Sequence, residues 1–176
     1  MVTGLDSFHS GFATDAFYSY RDIFRIDAMA SVGSWKWKNN VNTTIYDPYT
    51  GTPVQEIHIY SDGLHVGDAP QTQIGATLDF HPLALTEKLD KSDLLVKLSW
   101  SYNDRFWSDF DPISRTDPNN TEDSFRIPAY HLVNLNLSWR QTLSKGYALT
   151  LFCNANNLFD AVYIARGKDG ATHDMD

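Results

Sequence analysis

The densest group of side chains that could do chemistry lies between residues 106 and 123. Carboxylates, amides, hydroxyls and one guanidinium gather there beside aromatic rings: Phe106, Trp107, Ser108, Asp109, Asp111, Arg115, Asp117, Asn119, Asn120, Glu122 and Asp123. Carboxylate oxygens suit a hard cation such as calcium, but the spacing lacks the EF-hand pattern, and we predict a solvated loop without a metal site. If a ligand binds, we expect Trp107, Asp109, Asp111 and Arg115 to contact it, because binding residues tend to lie on loops above a rigid scaffold.

The other chemistry-bearing residues predict that the chain is not an enzyme. Its six histidines are scattered, without an HExxH motif or a close pair at helical spacing. Cys153 is the single cysteine, which excludes an internal disulfide framework and every multi-cysteine zinc pattern. Because no glycine-rich phosphate loop and no Ser-His-Asp arrangement is evident, we predict neither catalytic residues nor a cofactor.

Composition bounds the class of protein and its partners. The 176 residues, of which 42% are hydrophobic and 14% aromatic, suffice for one ordered domain over residues 1–176. The net charge of −8 and the lack of a basic stripe exclude a nucleic-acid partner. Mean hydropathy is −0.37, and no apolar run approaches the roughly 18 residues of a spanning helix. Strands of a membrane barrel alternate, however, and average near zero on such a scale.

The elements that must position these side chains are strands, because apolar residues recur at every second position in six segments. The clearest segment sets Leu94, Val96, Leu98, Trp100 and Tyr102 against Lys97, Ser99, Ser101 and Asn103. The others span residues 11–21, 24–33, 73–80, 133–140 and 147–156. We therefore predict an all-β fold, an antiparallel meander of about six long strands. All apolar rows should share one face, and Cys153 should lie on it.

The connections between the segments alternate in length. Residues 39–70, 104–129 and 159–176 are long, polar and rich in Asp, Asn, Pro and Gly, whereas the links near 21–24, 81–93 and 140–146 are shorter. The first long connection carries a candidate hairpin, Val41–Tyr46 with Val54–Tyr60. Long loops on one side and short turns on the other are typical of an outer-membrane barrel. We predict a partial transmembrane β-barrel with its long loops on one side.

A soluble all-β fold is the alternative, because sandwiches and lipocalin-like barrels also alternate. The membrane barrel is favoured by strands of about ten residues, the length that crosses a bilayer at a tilt. It is also favoured by aromatic residues near the strand ends, among them Tyr20, Phe24, Trp100 and Trp139. On the alternative interpretation, the chain is a soluble carbohydrate-binding module, and tryptophans at strand ends stack on sugar.

Four stretches resemble TonB-dependent receptors of the Bacteroidetes type. Residues 154–160, Asn-Ala-Asn-Asn-Leu-Phe-Asp, followed by Tyr163, resemble a signature near the end of those receptors. Residues 4–12 resemble a strand entry of the family, residues 60–72 a loop-to-strand step, and residues 169–174 one of its loops. The resemblance covers essentially the whole chain.

What the resemblance implies is a 22-stranded outer-membrane barrel with an N-terminal plug inside it. Such a receptor imports a large scarce nutrient, for instance a siderophore, haem, corrinoid or glycan. The implied partners are outer-membrane lipid, the TonB complex acting through the plug region, and a small-molecule or oligosaccharide ligand. We expect this chain to be the C-terminal barrel portion of such a receptor, without the plug and without the final strands.

Overall fold

A computed structural model describes residues 4–86 and 91–169 of the chain. It contains twelve strands: β1 (Ser7–Tyr20), β2 (Phe24–Trp37), β3 (Val41–Tyr46), β4 (Pro53–Ile59), β5 (Thr72–Phe80), β6 (Ser92–Asp104), β7 (Phe106–Trp107), β8 (Asp109–Phe110), β9 (Arg126–Ile127), β10 (Tyr130–Thr142), β11 (Ala148–Ala155) and β12 (Lys168–Asp169). Three 3₁₀ turns complete the described part: Pro82–Leu85, Pro112–Ser114 and Ser144–Gly146. No helix in these residues is long and apolar enough to cross a membrane.

The six long strands form one antiparallel sheet in the order β1-β2-β5-β6-β10-β11. Neighbours in the sheet follow one another along the chain apart from short strands in the loops, so the predicted all-β meander is confirmed. The predicted hairpin is also present, as β3 paired with β4. Within the described residues β1 and β11 have a neighbour on one side only, and the sheet is open.

Register confirms the predicted faces, because residues directly opposite each other in a sheet share a face. One row runs across all six strands through Tyr18, Ile26, Leu78, Leu98, Leu135 and Ala155. The adjacent row on the other face runs through Ser19, Arg25, Asp79, Lys97, Asn136 and Asn154. Cys153 is opposite Leu137 and therefore lies on the apolar face. The short turns lie at one end of the sheet, which we call the turn end. Between the turn end and the level of Tyr102, no Asp, Glu, Lys or Arg of these strands lies on the apolar face.

Two expectations about the strands were wrong in detail. β5 and β11 have 9 and 8 residues, short of the expected ten, whereas β2 continues to Trp37. That extension is fixed by residues distant in sequence, because the Trp37 N–H donates to Leu64 and the Val66 N–H donates to Trp35. The polar face is also not wholly polar, since Phe17 and Phe152 lie on it with 65% and 77% of their surface exposed.

The polar face carries a groove. Its volume is 620 Å³, and it is lined by residues of β1, β2, β5, β6 and β10, among them Asp15, Asp27, Thr77, Ser99 and Asn134. Lys97 Nζ lies 3.2 Å from Asp79 Oδ2 across this face.

The buried hydrophobic core does not involve the apolar face of the sheet. It comprises Val41, Ile57, Ile59, Leu64, Phe106, Trp107, Phe110 and Ile127, all from the connections and their short strands. On the sheet, by contrast, Phe12 is 72% exposed and Leu98 40% exposed. The sheet thus leaves its apolar face uncovered, while the loops at one end have a core of their own.

This division predicts where stability resides. Ile59 is fully buried in the loop core, so Ile59→Ala should cost about 2–5 kcal/mol. Val54 lies in the same hairpin but is 65% exposed, and Val54→Ala should change stability by no more than about 0.5 kcal/mol. Hydrogen exchange of the β3–β4 amides measures both effects. Equal effects of the two substitutions would contradict a core in the loops.

Candidate functional site in the loop cap

The three long connections form one structure, which we call the loop cap: residues 38–71, 105–129 and 156–169. Because successive long strands alternate in direction, all three leave the sheet at the same end. The predicted placement of the long loops on one side is therefore confirmed for the described residues. Residues 170–176 of the last predicted loop lie outside them.

Backbone hydrogen bonds join the three connections to one another. The Asp68 N–H donates to the Trp107 carbonyl at 3.0 Å, and the Tyr60 N–H donates to the Arg115 carbonyl at 2.8 Å. The Asp109 N–H donates to the Gly167 carbonyl at 3.0 Å. These bonds satisfy backbone groups that would otherwise need water, and they fix the cap as a folded unit.

Glycine allows the tightest contact in the cap. A Cβ atom at Gly67 would lie 2.6 Å from the Ser108 carbonyl carbon and 2.8 Å from the Asp109 Cα. A Cβ at Gly167 would meet the Ser108 Cβ at 3.2 Å. Ser108, which lies between β7 and β8, is therefore packed closely against two glycines, and it is 2% exposed.

Arg105 ties the cap to the sheet. Its backbone is in the left-handed region, with φ of 50°. The side chain donates from Nε to Thr72 Oγ1 at 2.8 Å and from Nη2 to the carbonyls of Gln71 and Gly33. The guanidinium of this residue, which directly follows β6, thus bonds to β2 and to the start of β5, and these bonds account for the strained conformation being kept.

Trp107, a predicted ligand contact, lies in the interior of the cap. It is 7% exposed, and its ring stacks on the His65 ring at 3.9 Å between centroids. His65 Nδ1 lies 2.8 Å from Asp123 Oδ2, and the Arg126 guanidinium lies 5.7 Å from the Trp107 ring centroid. These contacts give the indole a packing role in which it joins the first and second connections.

Arg115 and Asp111 also have structural contacts. Arg115 is 4% exposed and donates from Nη1 to Asn120 Oδ1 at 3.1 Å and to the Glu122 carbonyl at 2.7 Å. Its guanidinium lies 5.9 Å from the Phe110 ring centroid. The carbonyl of Asp111 accepts hydrogen bonds from the backbone and the hydroxyl of Ser114.

Asp109 is the exposed member of the predicted set. It lines a groove of 330 Å³ with Arg166, Gly167 and Lys168. Arg166 Nη2 lies 2.6 Å from Asp68 Oδ2. The backbone of Lys168 lies opposite that of Asp109, where β12 and β8 are parallel neighbours. This groove presents both signs of charge, which suits a polar or zwitterionic ligand.

The four predicted contacts therefore do not converge on one cavity, although their ligand role stays a prediction. The residues that join Asp109 at the groove, Arg166 and Lys168, were missed by sequence reasoning. Nothing local signals their proximity, since Arg166 and Asp68 are 98 positions apart. Among the described residues, no three His, Cys, Asp or Glu side chains are grouped as a metal site requires.

The Asn-Asn-Leu-Phe-Asp stretch that carries the family resemblance ends β11. Asn157 adopts φ of 52° and closes a turn through two bonds, with its Nδ2 donating to the Ala161 carbonyl and its Oδ1 accepting from the Ala161 N–H, both at 2.9 Å. The Asn157 N–H donates to Asn134 Oδ1 at 2.8 Å, which ties the turn to β10. The stretch thus terminates a strand, and it leaves Phe159 72% exposed.

No family model, curated protein or solved structure matches this chain. Proposals about its function therefore rest on the sequence and structure of the chain itself.

The tip of the β3–β4 hairpin is a hydrogen-bonded turn that exposes an aromatic side chain. Asp47 Oδ1 accepts the backbone N–H groups of Tyr49 at 2.7 Å and Thr50 at 2.8 Å. The Asp47 N–H donates to the Thr52 carbonyl at 2.9 Å, which closes the turn. Tyr49 is 95% exposed on this turn.

The tip should respond to acid through Asp47. Hydrogen bonds from the N–H groups of Thr50 and Tyr49 lower the pKa of this carboxyl from its ordinary 3.8. A lowered pKa means that the stabilisation is complete above the ordinary value and is lost as the pH falls through the folded-state value. The Thr50 amide resonance should therefore shift as the pH falls below about 4. In Asp47→Asn, which cannot titrate, that shift should be absent; an equal shift would contradict the assignment.

Two single substitutions separate packing from ligand contact. Trp107→Ala should cost the cap about 3–5 kcal/mol, because a buried aromatic ring is removed. Asp109→Ala should leave stability within about 0.5 kcal/mol, because the side chain is exposed. If the chain is part of an uptake receptor, as the resemblance implies, and Asp109 contacts the ligand, Asp109→Ala should lower uptake by that receptor while the cap stays folded. Unchanged uptake after replacing Trp107, Asp109, Asp111 and Arg115 together by alanine would reject the predicted set.

Proposed function

We propose that this chain forms part of the barrel wall of an outer-membrane receptor of the TonB-dependent type, which imports a large scarce nutrient. On this proposal the apolar face of the sheet contacts lipid, the polar face lines the barrel interior, and the loop cap faces the ligand outside the cell. The chain has no catalytic role of its own.

The observation that carries the proposal is the uncovered apolar face. Six strands place their apolar rows on one side, with no charge between the turn end and the level of Tyr102. Phe12, Ile26 and Leu151 on this face are 72%, 42% and 54% exposed. Soluble monomers seldom expose apolar patches beyond a few hundred Å², whereas a lipid-facing barrel wall requires one.

Aromatic residues at the turn end support the same arrangement. Tyr20, Phe24 and Phe80 are register partners on the apolar face. Ring centroids of Tyr20 and Phe24 lie 5.9 Å apart, and those of Tyr18 and Phe24 lie 6.0 Å apart. Amphipathic rings favour the headgroup level of a bilayer, so such a cluster fits the boundary of an apolar band.

The groove on the polar face supports the proposal that this face lines the barrel interior. The 620 Å³ groove lies on the side that carries Asp27, Asp79, Lys97 and Asn136. A barrel closes around such a face only when further strands pair with β1 and β11, because an unpaired edge in lipid leaves backbone groups unsatisfied at several kcal/mol each.

The soluble carbohydrate-binding module is the competing proposal. A module of that kind covers its apolar face with a second sheet, and among residues 4–86 and 91–169 no second sheet covers this one. Exposed tyrosines of the cap, such as Tyr49, would be its sugar-stacking surface. Fractionation of cells separates the two proposals, since the module is recovered as soluble protein and the barrel wall in the outer membrane.

Neighbouring residues on opposite faces provide the sharper test. Leu98→Arg places a charge in the middle of the apolar face and should lower membrane stability by about 2–4 kcal/mol. Ser99→Arg adds the same charge to the polar face, beside the groove, and should be tolerated. The measurement is the outer-membrane yield of the receptor together with its resistance to urea extraction.

Two results would contradict the proposal. If Leu98→Arg and Ser99→Arg are extracted alike, or if Ser99→Arg is the more damaging, the apolar face does not contact lipid. A monodisperse, cooperatively melting monomer in detergent-free buffer would favour the soluble module.

A further inference from the structure

The turns opposite the loop cap hold two cations in an unfavourable backbone conformation. Arg21 lies in the β1–β2 turn with φ of 48°, and Lys145 lies in the β10–β11 turn with φ of 63°. Glycine or asparagine usually occupies the left-handed region, since other side chains are strained there. Neither cation forms a core contact, because both are exposed. A short hairpin turn requires a left-handed residue, and in both of these turns a cation occupies that position instead of glycine or asparagine.

Each of these cations is accompanied by an exposed aromatic ring. The Arg21 guanidinium lies 5.4 Å from the Tyr20 ring centroid. Tyr147, two residues after Lys145, is 70% exposed, and Tyr20 is 43% exposed. A ring that favours the headgroup level beside a long cationic side chain is the combination that anchors a protein at a membrane surface.

We propose that Arg21 and Lys145 bind the phosphate headgroups of anionic phospholipids, with Tyr20 and Tyr147 inserted beside them. The inference rests on the proposed function, because it places the apolar band of the sheet in the bilayer and the turns at its boundary. The inference further specifies the lipid: the leaflet at the turn end contains anionic phospholipids, whose phosphate groups contact these two side chains.

The distance between the two turns requires a separate phosphate at each of them. The β1–β2 and β10–β11 turns lie at opposite edges of the sheet, four strand spacings apart, or about 19 Å at about 4.8 Å per spacing. One free phosphate ion cannot contact both cations at that separation. A bilayer supplies a headgroup at each turn.

Two acids of the described residues lie at this end of the sheet. Asp93 Oδ1 lies 2.9 Å from His81 Nδ1. Asp22 is exposed beside Arg21 and lowers the net positive charge of that turn. The whole chain carries a net charge of −8, which by itself should repel anionic vesicles. A preference for such vesicles would therefore report a local cationic site.

The test uses the 176-residue chain. Protein in a non-ionic detergent is diluted into vesicles of phosphatidylcholine, alone or with about one-third phosphatidylglycerol, and bound protein is measured by co-sedimentation. We expect tighter binding to the anionic vesicles, lost in about 0.5 M NaCl and not displaced by millimolar inorganic phosphate. R21Q and K145Q should each weaken that binding about fivefold, and the double variant about thirtyfold.

Two further variants distinguish lost charge from lost structure. R21K/K145R keeps both charges and should bind like the unmodified chain. K36Q/K38Q removes two cations at the loop end, where Lys38 Nζ lies 4.8 Å from the Phe8 ring centroid, and should have no effect. Equal binding of the unmodified chain to both vesicle types would overturn this inference and leave the proposed function standing. Failure to bind either type would also overturn the inference. It would leave the proposed function standing, because the proposed barrel needs further strands beside β1 and β11 to satisfy its edges in lipid.

Discussion

The two-residue period of the β-strand, kept in one register across six strands, is the constraint on which this structure depends. Because side chains alternate, a slip of one residue in any strand would move its whole apolar row into the polar groove. The observed register keeps Leu98 level with Leu78 and Leu135, and Lys97 level with Asp79. The ion pair between Lys97 and Asp79 favours that register over a slipped one, since unpaired charges would otherwise face the apolar side.

This constraint separates two kinds of stability in one chain. The sheet is stabilised by backbone hydrogen bonds between its strands, and its apolar face is exposed. The loop cap, by contrast, has a buried core that includes Ile59, Phe110 and Ile127. Arg105, which directly follows β6, joins the two parts by donating hydrogen bonds to Gly33 of β2 and to Gln71 and Thr72 at the start of β5. The cap core also packs against Trp37 at the end of β2, whose ring centroid lies 6.0 Å from that of Phe110, so the cap is anchored on one end of the sheet.

Sequence predicted the sheet well and the cap poorly, for a physical reason. Period two is a local property, so the strands, their order and the facing of Cys153 could be predicted. The cap depends on contacts between distant residues, such as His65 with Asp123 at 58 positions and Trp35 with Gln71 at 36. Composition identified the polar stretch that holds Asp109 but could not show that Trp107 lies buried beneath it or that Arg166 lies beside it.

The most direct test of the central claim, that the apolar row faces lipid, uses Cys153 and its neighbour Asn154, which lie on opposite faces of β11. Cys153 is the free cysteine of the chain, and a second variant carries Cys153→Ser with Asn154→Cys. Both proteins are expressed in a bacterium with an outer membrane, and the membrane fraction is labelled with an apolar maleimide and with a charged, membrane-impermeant one. We expect Cys153 to react only with the apolar reagent and Asn154→Cys to react with the charged one. Rapid reaction of Cys153 with the charged reagent in intact membranes would contradict it.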